Sequence, residues 1–286
     1  MLLNRTEEIE ISNINDLYEI EERKKEYFKT QETDIYEKDV LFFRGQSDYS
    51  WKLEVSIKRY NNLVEWKELE EYDPNVDNLF SYIAKCQHYG KKTRFLDFTT
   101  DIDIALFFAC DENEDIDGSL YMCPYVPRKA SWNDTIIVSE LSLLKDEISV
   151  DNFASQLLAK YADLRNKYSN TVEISTRIVS WLDHGFMVLP DTNEYEIMKK
   201  DNPRIYNQKG AFFICGNQTK KPLDDPCRRI STHAGYNIII PKISDIPDTI
   251  QENRHITKVK IPSTMKKDIL NFLNEKGINR DYLLVK

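Results

Sequence analysis

The chain has 286 residues, of which 41% are hydrophobic and 30% charged, and its formal net charge is −9. This length and composition indicate a folded protein with a sizeable core. The net negative charge argues against bulk binding to nucleic acid or to an anionic membrane, because both repel an acidic surface, and it leaves open only a local basic groove. No apolar run reaches the roughly 18 residues that span a bilayer, and the N-terminal segment is too charged for a signal peptide. We therefore expect a cytoplasmic protein without a membrane partner. Its five cysteines form no CxxC pair, which indicates reduced thiols.

The first half of the chain alternates helical and strand patterns. Apolar residues at helical spacing predict a helix over residues 15–30, and "VLFFRGQ" predicts a buried strand over Val40–Gln46. Residues 76–88 predict a helix that Gly90 caps. A strand over 93–100, a buried helix with Asp101 as its N-cap and a strand over 118–126 follow in this order.

The second half begins with a mostly helical stretch at about residues 140–200. Strand patterns follow in "RIYNQKGAFFIC", "YNIIIPK" and "HITKVKIP", and "PSTMKKDILNFLNEKG" predicts a closing helix. The chain is therefore predicted to be α+β, with a mainly antiparallel sheet flanked by helices and a helical insertion at about 140–200. Because no linker composition interrupts it, we expect one domain over residues 1–286.

Several common catalytic and metal-binding motifs are absent from the sequence. It lacks GxGxxG, GxxxxGK[ST], HExxH and GxSxG, which argues against dinucleotide oxidoreductases, P-loop NTPases, zincins and α/β-hydrolases. The segment "NEDIDGSLYMCP" has Pro124 where a calcium loop needs glutamate, so it is predicted to be an acidic turn. The histidines and cysteines show no metal-ligand spacing, and no metal site is predicted.

Three segments place polar side chains where a strand meets a loop. The first is "FFRGQ" with Arg44, and the third is "NPRIYNQKGAFF" with Arg204, Gln208 and Gly210. The second contributes the larger set, which comprises Gln87, His88, Tyr89, Gly90, Thr93, Arg94, Asp97, Thr99 and Thr100. Arginines, a histidine and neutral donors at strand ends together favour a pocket for an anion or a phosphate without a metal.

Each of these side chains also has a purely structural interpretation. Arg44 or Arg94 would then form a buried ion pair with Asp97, which fixes the strand register. His88 would bind free carbonyls at a helix end. Thr99 and Thr100 would only lead into a helix cap, and Gln208 would satisfy a buried backbone group.

Together, the three segments resemble the FRG domain family, named for the Phe-Arg-Gly seen here at residues 43–45. The resemblance runs from about residue 25 to 286 through "FRGQSDYSWKLEVSIKR", "QHYGKKTRFLDFTTDIDIALFFA" and "NPRIYNQKGAFFI", in the family's order. Members occur mainly in bacteria and phages, so the resemblance implies a role in phage defence or as a toxin.

A weaker resemblance to ADP-ribosyltransferases of the arginine–serine–glutamate type implies NAD as the substrate and an ADP-ribosyltransferase-like fold. It implies that Arg44, with Gly45 and Arg94, binds NAD, and that Thr99 and Thr100 brace the nicotinamide ribose. It also implies that Tyr89 or Phe98 stacks on nicotinamide. The strand that should carry the catalytic glutamate offers Gln208 instead.

The amide of Gln208 leaves two hypotheses open. In the first, Asp97, Glu194 or Glu196 supplies the missing charge, His88 acts as general base, and the protein is an ADP-ribosyltransferase or an NAD glycohydrolase. In the second, the site senses a nucleotide or a nucleic-acid end without catalysis. A nuclease would need clustered carboxylates for Mg²⁺, and the acidic run at 111–115 is predicted to face solvent.

Overall fold

The computed structural model describes most of the chain, in segments that contain every residue discussed below unless stated otherwise. These segments are residues 7–30, 40–59, 64–76, 78–129, 131–182, 185–190, 202–220, 236–246, 249–251 and 254–285. Within them the protein is α+β, as predicted. None of the helices in these segments is long and apolar enough to cross a membrane.

An eight-stranded, mainly antiparallel sheet organises the fold. Its strands, in spatial order, are β1 (Glu7–Glu10), β13 (Thr257–Ile261), β4 (Gly118–Tyr125), β2 (Val40–Gln46), β3 (Phe95–Thr99), β8 (Gly210–Ile214), β7 (Phe186–Leu189) and β5 (Arg128–Lys129). Only the outer pairs β1–β13 and β5–β7 are parallel. Two smaller sheets consist of β6 (Ile148–Ser149), β10 (Asn237–Ile243) and β9 (Asn217–Lys220), and of β11 (Thr249–Gln251) with β12 (Arg254–His255).

The described segments also contain eleven α-helices. They are α1 (Ile14–Thr30), α2 (Glu65–Glu68), α3 (Leu79–His88), α4 (Ile102–Cys110), α5 (Asn133–Glu140), α6 (Val150–Lys160), α7 (Ala162–Lys167), α8 (Thr171–Leu182), α9 (Pro203–Asn207), α10 (Ser263–Glu275) and α11 (Arg280–Leu283). Short 3-10 helices cover Ser56–Arg59 and Leu141–Leu143.

Most of the predicted elements of the first half are confirmed. The strand at Val40–Gln46 is β2, and the buried helix is α4, where the Asp101 carboxylate accepts a hydrogen bond from the Asp103 amide at 2.9 Å. Gly90, with φ +85°, ends α3 as a cap. These elements form where predicted because their apolar pattern and their caps lie in one short stretch of sequence.

One prediction for the second half is wrong. "RIYNQ" is not a strand, because Pro203 at the first turn begins the short helix α9 before β8 starts at Gly210. The mostly helical stretch predicted at about 140–200 contains α6, α7 and α8. The strand β7 follows them and joins the main sheet after Gly185 turns the chain at φ +83°. Residues 191–200 lie outside the described segments.

Three hydrophobic clusters pack on the two faces of the main sheet. On one face of the sheet, helices pack against the strands in two separate hydrophobic clusters. The first contains residues of α3, α5, α6 and α8, and the second contains residues of α1, α4 and α10. A third cluster covers the opposite face and includes Phe42, Phe98 and Tyr121. Asp97 lies between Leu96 and Phe98 on β3, and both of these side chains belong to the third cluster. Because successive side chains of a strand point to opposite faces, the Asp97 side chain points to the face that carries the helices, between their two clusters.

The strands β2 and β3 separate at one end. They share a single paired position, Phe43 opposite Thr99, whereas β2 pairs with β4 over seven residues. Beyond Phe43, the segment Arg44–Gln46 runs alongside β3 without ladder pairing. This gap in the middle of the sheet positions the site described next.

Candidate functional site

A cleft of about 380 Å³ lies at the gap between β2 and β3. Residues from both strands line it, and so do residues from α3, α4, α9 and the C-terminal end of the chain. They are Phe43, Arg44, Gly45, Gln46, Ser47, Trp51, Gln87, His88, Asp97, Phe98, Thr99, Ile104, Ala105, Phe108, Asp111, Glu112, Arg204, Gln208 and Leu284. The volume lies toward the lower end of the range for ligand pockets.

Arg44 bridges the gap between the two strands. Its Nη1 donates a hydrogen bond of 2.6 Å to the main-chain oxygen of Asp97, a carbonyl that β2 does not pair. Burial lowers the pKa of the Arg44 guanidinium and the charge of Asp97 opposes this shift, but an arginine keeps its charge in a protein. The predicted ion pair between Arg44 and the Asp97 carboxylate is therefore replaced by a bond to the Asp97 backbone.

The carboxylate of Asp97 is held from α3. Gln87 Nε2 donates to Asp97 Oδ2 at 3.0 Å, and the Gln87 oxygen accepts a bond of 2.8 Å from Thr93. These bonds fix the orientation of both the amide and the carboxylate. The other oxygen, Oδ1, has no hydrogen-bond partner, and the Asp97 side chain remains 36% exposed.

His88 lies beside this carboxylate at the end of α3. Its Nε2 is 3.9 Å from Asp97 Oδ1, and its side chain is only 7% exposed. Burial lowers the pKa of His88 below the ordinary value of 6.5, while Asp97 raises it and Arg204 lowers it further. Because burial dominates, the imidazole is neutral near pH 7 and is able to accept a proton.

Unpartnered buried polar atoms are concentrated at this cleft. Five of its lining side chains have such an atom, namely Arg44 Nε, Gln46 Oε1, His88 Nε2, Asp97 Oδ1 and Arg204 Nε. A buried polar atom without a partner costs free energy, and native proteins retain few of them. Their convergence therefore indicates a place where a ligand or water completes the hydrogen bonds.

Gly45 lines the cleft, and its lack of a side chain serves the packing of α4. A Cβ at this position would lie 1.8 Å from the main-chain oxygen of Ala105 and 2.6 Å from the amide nitrogen of Ala109. Only glycine permits α4 to approach β2 this closely. The glycine of the Phe-Arg-Gly sequence thus lets α4 pack against β2 at the edge of the cleft.

Phe98 and Thr99 also reach the cleft, but their contacts are structural. Phe98 is 4% exposed and packs in the third hydrophobic cluster. The Thr99 hydroxyl accepts a bond of 3.1 Å from the Asp101 amide, just ahead of α4. This agrees with the interpretation of Thr99 as the approach to a helix cap.

The second half of the chain completes the cleft. Arg204 Nη1 donates to the main-chain oxygen of His88 at 3.1 Å and so holds the end of α3. Gln208 is 9% exposed, and its Nε2 donates to the main-chain oxygen of Leu283 at 3.0 Å. Gln208 therefore satisfies a buried backbone group and holds the C-terminal segment, whose Leu284 lines the cleft.

Part of the acidic run at 111–115, predicted to face solvent, lies at the cleft. Asp111 and Glu112 line it, and Arg280 forms an ion pair with Asp111 at 2.6 Å. Lys266 anchors this loop, because its buried ammonium donates to the main-chain oxygens of Ser47, Glu112 and Asn113 at 2.8–3.0 Å. Within the described segments, no group of three or more histidine, cysteine or acidic side chains is arranged to hold a metal ion.

Three of the residues predicted to bind NAD do not line the cleft, and neither do Gly90, Thr93 and Gly210 of the polar segments. Tyr89 is 67% exposed outside it, and Thr100 lines a separate cavity beside Lys209. Arg94 is 1% exposed and forms an ion pair of 2.7 Å with Glu65, so the predicted pairing with Asp97 is wrong. The sequence distance between residues 65 and 94 concealed this partner. Glu194 and Glu196 lie outside the described segments.

Several cleft residues were not singled out from the sequence as site residues. Gln87 and Arg204 belong to the three polar segments, but no role is assigned to them from the sequence. Their amide and guanidinium groups, each at a junction of a strand and a loop, are nevertheless a signal from which they could have been found. Trp51 and Gln46 gave no such signal, because they reach the cleft through loop conformation and tertiary packing. Lys266 gave none either, because it supports the cleft from outside, through main-chain oxygens of the surrounding loops.

Comparison with protein families supports the first resemblance over part of its length. The family model of the FRG domain matches residues 39–118, which carry Arg44, His88 and Asp97. Neither the comparison with curated proteins nor that with solved structures gave a match. Arg204, Gln208 and Leu284 come from outside the matched stretch, so the cleft needs more of the chain than the match covers. Residues 39–118 of this chain are therefore similar to the FRG domain.

Proposed function

We propose that the cleft binds NAD and cleaves the bond between nicotinamide and ribose, by hydrolysis or by transfer of ADP-ribose to an acceptor. The observation that carries the proposal is the convergence of unpartnered polar atoms of Arg44, His88 and Asp97 in one cleft. An arginine with a free N–H suits a phosphate, and a carboxylate suits the positive charge that develops on the ribose.

The residues take the following roles in this reaction. The C1′–N bond breaks and its electron pair goes to the nicotinamide nitrogen, which leaves as neutral nicotinamide. The Asp97 carboxylate stabilises the cationic ribose, since Gln208 is an amide and is committed to Leu283. Water, or the acceptor nucleophile, forms the new bond to C1′, and its proton passes to neutral His88. With water, the products are nicotinamide, ADP-ribose and one proton.

A release assay for nicotinamide tests this proposal. Purified protein is incubated with NAD, alone and with candidate acceptors, and nicotinamide is quantified by chromatography. We expect release by the unaltered protein and a loss of about 100-fold or more in Asp97→Asn, which removes the charge but keeps the shape. Asp115→Asn, an exposed carboxylate that does not line the cleft, is the matched control and retains full activity. Absence of nicotinamide release under all these conditions would contradict the enzymatic proposal.

A second candidate is a module that binds the nucleotide or a nucleic-acid end without turnover. The observation that favours it is the amide at Gln208, which leaves Asp97 as the one carboxylate on the strands β2, β3 and β8 at the cleft. This candidate predicts that NAD raises the unfolding temperature while no nicotinamide is released. In either case we extend the proposal to the toxin or phage-defence setting that the FRG resemblance implies.

A further inference from the structure

A second cavity, of about 440 Å³, adjoins the cleft. Its lining includes Val55, Tyr121 and Ile256, which belong to the hydrophobic cluster on the face of the sheet opposite the helices. Because Asp97 faces the helices, the floor of the cleft and the second cavity lie on opposite faces of the sheet.

Trp51 is common to both cavities. Its main chain is fixed, since its amide donates to the Asp48 oxygen at 3.2 Å and its oxygen accepts from the Tyr121 hydroxyl at 3.1 Å. Its side chain nevertheless leaves the residue 40% exposed. An exposed indole on a fixed backbone is a ready surface on which a flat ring can stack.

Arg44 lines the cleft and lies next to a residue of the second cavity. It is paired in register with Tyr121, which lines the second cavity, and it donates to Asp97, which lines the cleft. Its Nε has no partner. A guanidinium in this position is able to bind a charged linker that passes from one cavity to the other.

The charges of the second cavity favour a neutral group there. Its lining has three lysines and three carboxylates, namely Lys52, Lys58, Lys258, Glu8, Glu54 and Asp245. Lys58 forms an ion pair with Asp245, and Lys258 donates to the Tyr49 main-chain oxygen at 2.7 Å. Such a balanced polar lining suits the hydroxyls of a nucleoside better than it suits a phosphate.

We propose that the second cavity binds the adenosine half of a dinucleotide, with the adenine against Trp51 and the diphosphate at Arg44. The nicotinamide ribose then occupies the cleft at Asp97. This inference rests on the proposed function and adds to it a preference for dinucleotides over mononucleotides.

The test compares the binding of NAD and of nicotinamide mononucleotide by calorimetry. We expect the unaltered protein to bind NAD at least about tenfold more tightly than the mononucleotide. Trp51→Ala should weaken NAD binding about tenfold, because stacking on an aromatic ring contributes that much. Mononucleotide binding should weaken by much less, since only the adenine stacks on Trp51, although this residue also lines the cleft. Trp51→Phe, which keeps an aromatic ring, should restore part of the loss. Tyr89→Ala removes an exposed aromatic that lines neither cavity and is the matched control.

The outcomes separate this inference from the proposed function. If both ligands bind equally well, or if Trp51→Ala weakens both to the same degree, the second cavity is not an adenosine site, and NAD cleavage in the cleft remains open to its own assay. If the unaltered protein binds neither ligand, both proposals are overturned. Melting curves of each variant establish that the fold is retained.

Discussion

Replacement of Arg94 by methionine should strongly destabilise the protein without any role of this residue in ligand binding. The guanidinium contacts Glu65 through Nε at 2.8 Å and Nη2 at 2.7 Å, and Asn217 Oδ1 through Nη1 at 2.8 Å. Arg94 is 1% exposed and Glu65 is 5% exposed. Arg94→Met therefore leaves a carboxylate and an amide oxygen buried without this partner. Breaking a buried ion pair from one side costs about 3–5 kcal/mol.

Urea denaturation of the variants measures this cost. The double variant Glu65→Leu with Arg94→Met removes both charges and should recover much of the loss, because apolar replacement of a buried pair is often close to neutral. Lys91→Met breaks an exposed pair with Glu71 and should change the free energy of unfolding by less than about 1 kcal/mol. A cost for Arg94→Met as small as that for Lys91→Met would refute the reasoning.

Three further predictions concern the surroundings of the cleft. Gly45→Ala should cost about 3 kcal/mol or more in urea denaturation, because its Cβ would overlap the Ala105 oxygen, and wild-type stability would contradict this packing. The pKa of His88 is lower in the folded state than its ordinary value of 6.5, so its contribution to stability is complete above pH 6.5 and is lost as the pH falls. The free energy of unfolding should fall by at most about 1.4 kcal/mol per pH unit from this residue. In His88→Gln the free energy of unfolding should therefore decrease less steeply below pH 6.5, and an unchanged slope would refute the lowered pKa. Lys266→Met should lower the free energy of unfolding by about 1–3 kcal/mol and weaken NAD binding, because three main-chain oxygens lose their donor. Unchanged values in urea denaturation and in calorimetry would contradict this anchoring role.

Local sequence signals predicted the elements that carry the site. The apolar run Val40–Phe43, the cap at Gly90 and the N-cap at Asp101 lie next to the elements that they define, so β2, α3 and α4 could be located from the sequence. The polar residues Arg44, His88 and Asp97, which lie on β2, α3 and β3, line one cleft.

The partners of these residues required the folded structure. Arg94 and Arg44 look alike in sequence, each at the end of a strand, yet one is paired with Glu65 in the core and the other spans a gap in the sheet. Arg44 spans this gap because β2 and β3 pair at one position only, and the sequence does not reveal how two strands pair. Trp51 was also not predictable, because its place between two cavities depends on the conformation of the loop after β2.

The effect of NAD on thermal unfolding, compared between the unaltered protein and Arg44→Lys, tests the central claim most directly. Lysine keeps the positive charge but lacks the planar fork of donors. At a NAD concentration of about 100 times the dissociation constant, binding should stabilise the unaltered protein by about 2.7 kcal/mol. We predict that Arg44→Lys loses most of this stabilisation, whereas the exposed control Arg165→Lys retains it. Equal stabilisation of all three proteins, or none in the unaltered protein, would contradict the assignment of the cleft as the ligand site.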